Sequence, residues 1–283
     1  MKNSSVSFIM PVFNAESTLR KSINSIFNGN MQEGDEIVVL DDGSNDGSIE
    51  ILNSLKRDIK ELSIHKHSVN LGGGAARNSA VRASRNDLIF CLDSDNILEP
   101  KTVPQLSAFL LERGLDIAAF EEIRYFREDP DKITHRWKYD EKACAFEDYL
   151  NQYKVPGASG NYLYTRSSWS RAGGYPEKSG ALDAWGFGLR QMATGSICGV
   201  LKGTGYRHRY GHNSYWIRQS RNNKFSEVAS ELLIPYMHLL PPYARKRVFD
   251  NKENNWFENM ERYPLIPIGV YQNIKCMVMR ILY

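Results

Sequence analysis

Two carboxylates flank a small residue at Asp93-Ser94-Asp95, directly after the apolar run of residues 88–92. Hard divalent cations take oxygen ligands, and Mg2+ or Mn2+ is usually held by one or two carboxylates together with substrate phosphates. An acid pair at the end of a buried strand is therefore a candidate metal site. A second pair, Asp41-Asp42, ends the β-branched run of residues 36–40 and opens the turn Asp41-Asp42-Gly43-Ser44. Part of its role is to end a strand and lead into the helix from Ser48. Adjacent buried aspartates also repel and lose hydration, so a polar ligand is expected there, and a carboxylate at Asp42 suits the ring N–H of a uracil. Asn70-Leu71-Gly72-Gly73-Gly74-Ala75-Ala76-Arg77-Asn78 opens a helix with glycines. Glycine permits close backbone approach, and a helix N-terminus favours phosphate.

These residues need elements to carry them. Residues 6–10, 36–40, 62–66 and 88–92 read as strands. Residues 17–27, 48–57 and 73–83 read as the helices between them. The alternation points to βαβ units and a mostly parallel sheet, in which ligands bind beyond the carboxyl ends of the strands. The acid pairs and Pro11-Val12-Phe13-Asn14 all fall at such ends. A dinucleotide fingerprint belongs after the first strand, and that strand carries no glycine loop, so a nicotinamide enzyme is not expected. Further on, the pattern predicts helices at 101–112, 146–151, 184–194 and 225–240. It predicts strands at 161–165, 197–200 and 205–208, short apolar runs around 116–126, and loops through most of 127–160.

Pro11-Val12-Phe13-Asn14-Ala15-Glu16, Asp41 to Ser48, Asn70 to Asn78, Asp93-Ser94-Asp95 and Gly173-Gly174-Tyr175-Pro176-Glu177 follow one another as in the family 2 inverting glycosyltransferases. The resemblance spans roughly residues 6–212 and implies the α/β GT-A fold, with helices flanking a mostly parallel central sheet. It implies that Pro11, Phe13 and Asp42 hold the nucleotide base, that Glu16 is a donor-site acid, and that Gly72 and Arg77 pass beside the donor. Asp95 matches the main metal ligand, for Mn2+ or Mg2+. Asp93 reaches the metal or the donor ribose, and Ser94 counts with the donor-binding residues. The family's base lies in a Glu-Asp pair before a helix. Here Ala181-Leu182-Asp183-Ala184 offers one acid, which makes Asp183 the expected base. Some relatives place a histidine ligand where His208 and His212 stand. The implied activity is sugar transfer from a nucleotide diphosphate, UDP on the strength of Asp42, to a glycan or glycolipid acceptor in bacterial surface polysaccharide synthesis. The alternative is a non-catalytic nucleotide-sugar-binding module, consistent with the single acid at Asp183.

The charge balance sets further bounds. A net charge of +3 is too small for the dense basic face of a nucleic-acid binder, so no nucleic acid partner is expected. Arg207, Arg209, Arg218, Arg221 and Lys224 crowd one stretch and are candidates to clamp a pyrophosphate. Cys91, Cys144, Cys198 and Cys276 form no CxxC pair, which favours a reducing compartment. With no signal-peptide pattern and no run of about 20 apolar residues, a cytoplasmic protein is expected. Residues 1–221 are expected to form the glycosyltransferase domain, with 1–100 its nucleotide-sugar half and 101–221 its acceptor half. Residues 222–283 form a helical extension, within which 270–283 is a candidate for peripheral membrane contact. Tyr153, Trp169, Trp185 and Trp216 are candidates to stack on sugar rings.

Overall fold

The structure is a computed structural model and describes residues 4–139, 144–152, 154–211, 216, 225–250, 255–260 and 262–266. Its first third alternates strand and helix: β1 (Val6–Val12), α1 (Leu19–Ile26), β2 (Glu36–Asp41), α2 (Ser48–Asp58), β3 (Leu62–Lys66), α3 (Gly73–Ala83) and β4 (Leu88–Cys91). β1 pairs in parallel with β2 and β4, and β2 with β3. Strands covered on both faces must be apolar along their length rather than alternating. β2 and β4 are accordingly buried at every position. α3 lies close over β1 and β2 because Gly74, Ala75, Ala76 and Ala80 on its buried side are small.

The chain continues through β5 (Ile97–Leu98), α4 (Thr102–Arg113), β6 (Ile117–Phe126), β7 (His135–Lys138), α5 (Phe146–Asn151), β8 (Leu163–Thr165), α6 (Arg166–Arg171), α7 (Asp183–Ala193), β9 (Cys198–Arg209) and α8 (Phe225–Leu233). The strand order is β3-β2-β1-β4-β8-β6-β9-β5, with β7 paired to β6. The second half is thus mixed: β8 runs antiparallel to β4 and β6, while β6 and β9 are parallel. Rings cross the sheet in sequence, Phe8 to Phe90, Phe90 to Phe120 and Phe120 to Tyr206, with centroids 5.9, 5.9 and 5.3 Å apart. Arg166 ties the halves together by donating to the carbonyls of Val81, Ser84 and Asn86.

Three expectations about elements change. The segments 197–200 and 205–208 belong to one strand, β9, whose pairing with β6 shifts register between Phe120 and Glu122. β7 lies in the stretch read as loops, because His-Arg-Trp-Lys has no apolar alternation and is held instead by its ladder to β6. The helix expected over 225–240 ends at Leu233 and gives way to a 3-10 turn over Ile234–Leu239. Pro235 has no N–H to continue an α-helical ladder.

The described residues beyond 222 pack onto the rest of the chain. Phe257 meets Trp185 edge-on at 4.9 Å. Asn151 exchanges hydrogen bonds with the backbone of Ile266 at 3.1 and 2.9 Å. The candidate membrane segment 270–283 lies outside the described residues. Among the described residues no helix is long and apolar enough to cross a membrane. Phe257 is 1% exposed. Phe257→Ala should therefore cost about 3–5 kcal/mol and lower the midpoint of one cooperative urea transition. A separate early transition, with the main one unmoved, would contradict this.

Candidate active site

The carboxyl ends of β1, β2 and β4 meet at one edge of the sheet, and the loops after them are stitched together. Ser44 Oγ accepts from Asn14 N at 3.0 Å, Asn14 Oδ1 accepts from Asn45 N at 2.9 Å, and Ser48 Oγ accepts from Ala15 N at 2.9 Å. Glu16 belongs to this stitching: its Oε2 accepts from Gly47 N at 3.2 Å and its own N–H donates to Asp46 at 3.0 Å. Pro11 is half-buried within β1, and Phe13 stands 46% exposed at the rim.

Asp42 is 2% exposed and fixes the glycine turn. Its Oδ1 accepts from Leu71 N at 3.0 Å and faces His67 Nδ1 at 2.7 Å, while Oδ2 accepts from Gly72 N at 2.8 Å. Gly72 sits at φ 95°, a conformation that favours glycine. Asp41, its neighbour, is fully buried, and its Oδ1 has no hydrogen-bond partner among the described residues. Sequence reasoning passed over Asp41. The available signal was the pair itself, because successive strand residues face opposite sides and the two acids cannot share a task.

α3 then presents Arg77 to two acids. Its Nη1 donates to Asp183 Oδ2 at 2.6 Å and its Nη2 to Asp93 Oδ1 at 2.7 Å. A Cβ on Gly73 would sit 2.5 Å from Asp183 Oδ2, so a glycine is what lets this pairing lie against the helix. Asn78, next in sequence, receives Tyr175 N at 2.8 Å and donates to Tyr175 O at 2.9 Å, which anchors the Gly173-Gly174-Tyr175-Pro176 segment leading to Asp183. Asp183 opens α7, and its Oδ1 accepts from Ala184 N at 2.6 Å. Burial pushes the Asp183 carboxyl above its ordinary range, opposed by Arg77 and the Ala184 N–H. The structure therefore brings Arg77, Asp93 and Asp183 into one cluster.

Asp93 has further partners. Its Oδ2 accepts from Asn161 Nδ2 at 2.9 Å and from Asn96 Nδ2 at 3.4 Å. Asn96 also meets His208 Nδ1 at 3.2 Å, so His208 is linked to the acid pair through an amide. Burial lowers the His208 pKa, which favours the neutral imidazole able to bind a metal. Ser94 is half-buried between the acids. Asp95 points into a cavity of about 180 Å3 lined also by Lys21, Thr18, Phe126 and Arg209. Its carboxyl is pushed up to about 7 by burial and by the charge of Asp93.

A divalent cation fits this donor set. Burial beside Asp93 disfavours a charged Asp95, a penalty a cation would relieve. Among the described residues no group of three or more His, Cys, Asp or Glu converges as a protein cage. Asp95, with Asp93 beside it, would hold the ion together with donor phosphates and water, the usual arrangement for Mg2+.

Two residues of the basic stretch, Arg207 and Arg209, are among those described. Arg207 pairs with Glu99 at 2.8 Å and with Asp131, and Glu99 also binds Arg124 at 2.9 Å. Arg207 thus belongs to an ion-pair network and is not a free phosphate clamp, whereas Arg209 does reach the cavity. His212, Arg218, Arg221 and Lys224 lie outside the described residues, as does Tyr153. Trp169 donates to Asn78 at 3.0 Å, and Trp185 is core at 2% exposure. Trp216 is 43% exposed and its ring lies tilted against Phe225, centroids 4.5 Å apart.

Residues 7–172 match the family model described as glycosyl transferase family 2. The chain belongs to that family. That family is one of glycosyltransferases, and the chain spans less than half the length of several of the curated relatives it matches. It is 26% identical over 258 residues to the uncharacterized glycosyltransferase MJ1057 of Methanocaldococcus jannaschii, covering 89% of this chain and 83% of that one. It is 32% identical over 114 residues to the poly(ribitol-phosphate) beta-glucosyltransferase of Bacillus spizizenii, where the match covers 40% of this chain and 18% of that protein. The family 2 fold is also seen in S. aureus TarS 1-349 in complex with UDP-GlcNAc, at TM-score 0.67 and 18% identity, covering 91% of this chain and 73% of that one. The mannosyltransferase PcManGT of Pyrobaculum calidifontis, in complex with GDP-Man and Mn2+, matches at TM-score 0.60 and 15% identity, covering 82% and 64%. These two structures carry the expected GT-A fold.

Removing Arg77 leaves two buried carboxylates without a counter-charge. Arg77→Met should cost about 3–5 kcal/mol, as for other broken buried pairs, read as a lower urea midpoint. A change below about 1 kcal/mol would mean that the bridge is not a determinant of the fold.

Proposed function

We propose that this glycosyltransferase moves a sugar from a nucleoside diphosphate donor to the hydroxyl of a cell-surface glycopolymer, with inversion at the anomeric carbon. The observation that carries the reading is the single cluster formed by Arg77 with Asp93 and Asp183, beside Asp95 and its cavity. The donor lies across the carboxyl ends of β1, β2 and β4. Its base packs at Pro11 and Phe13, against the turn that Asp42 fixes through Leu71 and Gly72. The diphosphate runs past Ser94 and the start of α3 toward Asp95, Lys21 and Arg209. Asp95 and Asp93, with His208 nearby, would hold a divalent ion, which would supply Lewis-acid neutralisation of the leaving diphosphate.

Asp183 accepts the proton of the attacking acceptor hydroxyl. Arg77 keeps its carboxylate oriented, and burial raises its proton affinity, which brings a base closer to its working range. The glycopolymer acceptor is supported by relatives such as the Bacillus spizizenii poly(ribitol-phosphate) enzyme. UDP is supported by an acid at the base position, and the TarS structure with UDP-GlcNAc is consistent with it. Residues 1–100 would form the donor half, 101–221 the acceptor half, and 222–283 an extension, whose described residues pack on the latter.

Thermal shifts with UDP, GDP, CDP and dTDP, each with Mn2+ or with EDTA, test this. A ligand at 100 times its Kd stabilises by about 2.7 kcal/mol. UDP with Mn2+ should raise the melting temperature, and EDTA or Asp95→Asn should abolish most of the rise. Equal shifts with and without metal would overturn the metal assignment.

A further inference from the structure

After α8 the chain turns outward. Ile234 is 56% exposed, Met237 39%, Leu239 42% and Tyr243 43%. They are close in sequence, on the 3-10 turn Ile234–Leu239 and the short helical turn Pro242–Arg245. Scattered apolar residues are ordinary on a surface, but a group of this kind marks an interaction site. The cations Arg245 and Lys246 follow directly, both exposed. Arg245 donates to the carbonyls of Leu240 and His238, at 2.8 and 3.4 Å, which holds its charge beside the apolar group. Among the described residues neither Arg245 nor Lys246 forms an ion pair, and the sequence from 232 to 249 contains no aspartate or glutamate.

We propose that this surface seats the protein on an anionic lipid bilayer. Ile234, Met237, Leu239 and Tyr243 would enter the headgroup boundary, with Arg245 and Lys246 on lipid phosphates. Exposed apolar side chains followed by two cations, in a stretch of sequence without acids, are the chemistry such a surface requires. A second copy fits less well, because a two-fold contact would set like charges against each other. The inference rests on the surface alone and not on the transfer reaction.

The full chain is sedimented with vesicles of phosphatidylcholine, with and without phosphatidylglycerol. Binding is expected only with the anionic lipid and should weaken at high salt. Met237→Glu with Leu239→Glu should abolish it. Lys246→Glu, at an exposed site with no packing to lose, should weaken partitioning about tenfold. The proposal is overturned if the wild-type protein stays in the supernatant. It is equally overturned if the glutamate variants bind as well as wild type, which would assign the contact to another segment such as 270–283. Dissociation of a dimer by the same variants, without vesicle binding, would assign the surface to a second copy instead.

Discussion

One buried cation organises this molecule. Arg77 holds Asp93 from the end of β4 and Asp183 from the start of α7, elements separated by about ninety residues of mixed structure. Taking three charges out of water is costly unless geometry and further hydrogen bonds compensate. The surrounding residues supply those bonds: Asn161 and Asn96 on Asp93, and the Ala184 N–H on Asp183. Gly73 at the start of α3 lets the guanidinium and Asp183 fit against the helix. Asp42 sets where that helix begins. The parallel half of the sheet and the mixed half meet at this bridge as much as in the hydrophobic core.

The same bridge divides labour among the acids. Asp93 and Asp183 each give an oxygen to Arg77, whereas Asp95 is left beside a cavity with its protonation raised by burial and by its neighbour. An acid in that condition favours a cation. Asp183, by contrast, is held in place and keeps lone pairs for a proton. On the proposed mechanism, two roles would arise from one cluster through different surroundings rather than different side chains.

Much of this was legible in the sequence, because strand ends in a parallel sheet share one edge. The runs before Pro11, Asp41 and Asp93 placed three loops together without any coordinates. Asp183 could be picked as the one acid preceding a predicted helix in its region. What could not be read were the pairings that depend on tertiary contact. Nothing in the order of residues says that Asp42 turns back to Leu71 and Gly72 and leaves an oxygen of Asp41 unpartnered. Arg207 looked available for phosphate because Glu99 and Asp131 are remote in sequence. β7 has no apolar alternation, so only its neighbour identifies it as a strand. The end of α8 could have been read from Pro235.

The central claim is that Asp183 takes the acceptor proton while the donor site forms without it. The most direct measurement compares Asp183→Asn with wild type for metal-dependent nucleotide binding and for sugar transfer in the same preparation. Asparagine keeps the shape and cannot take a proton. The account predicts unchanged nucleotide affinity and transfer lowered by a factor of about 10^2 to 10^4. Transfer at the wild-type rate, with nucleotide binding intact, would contradict it.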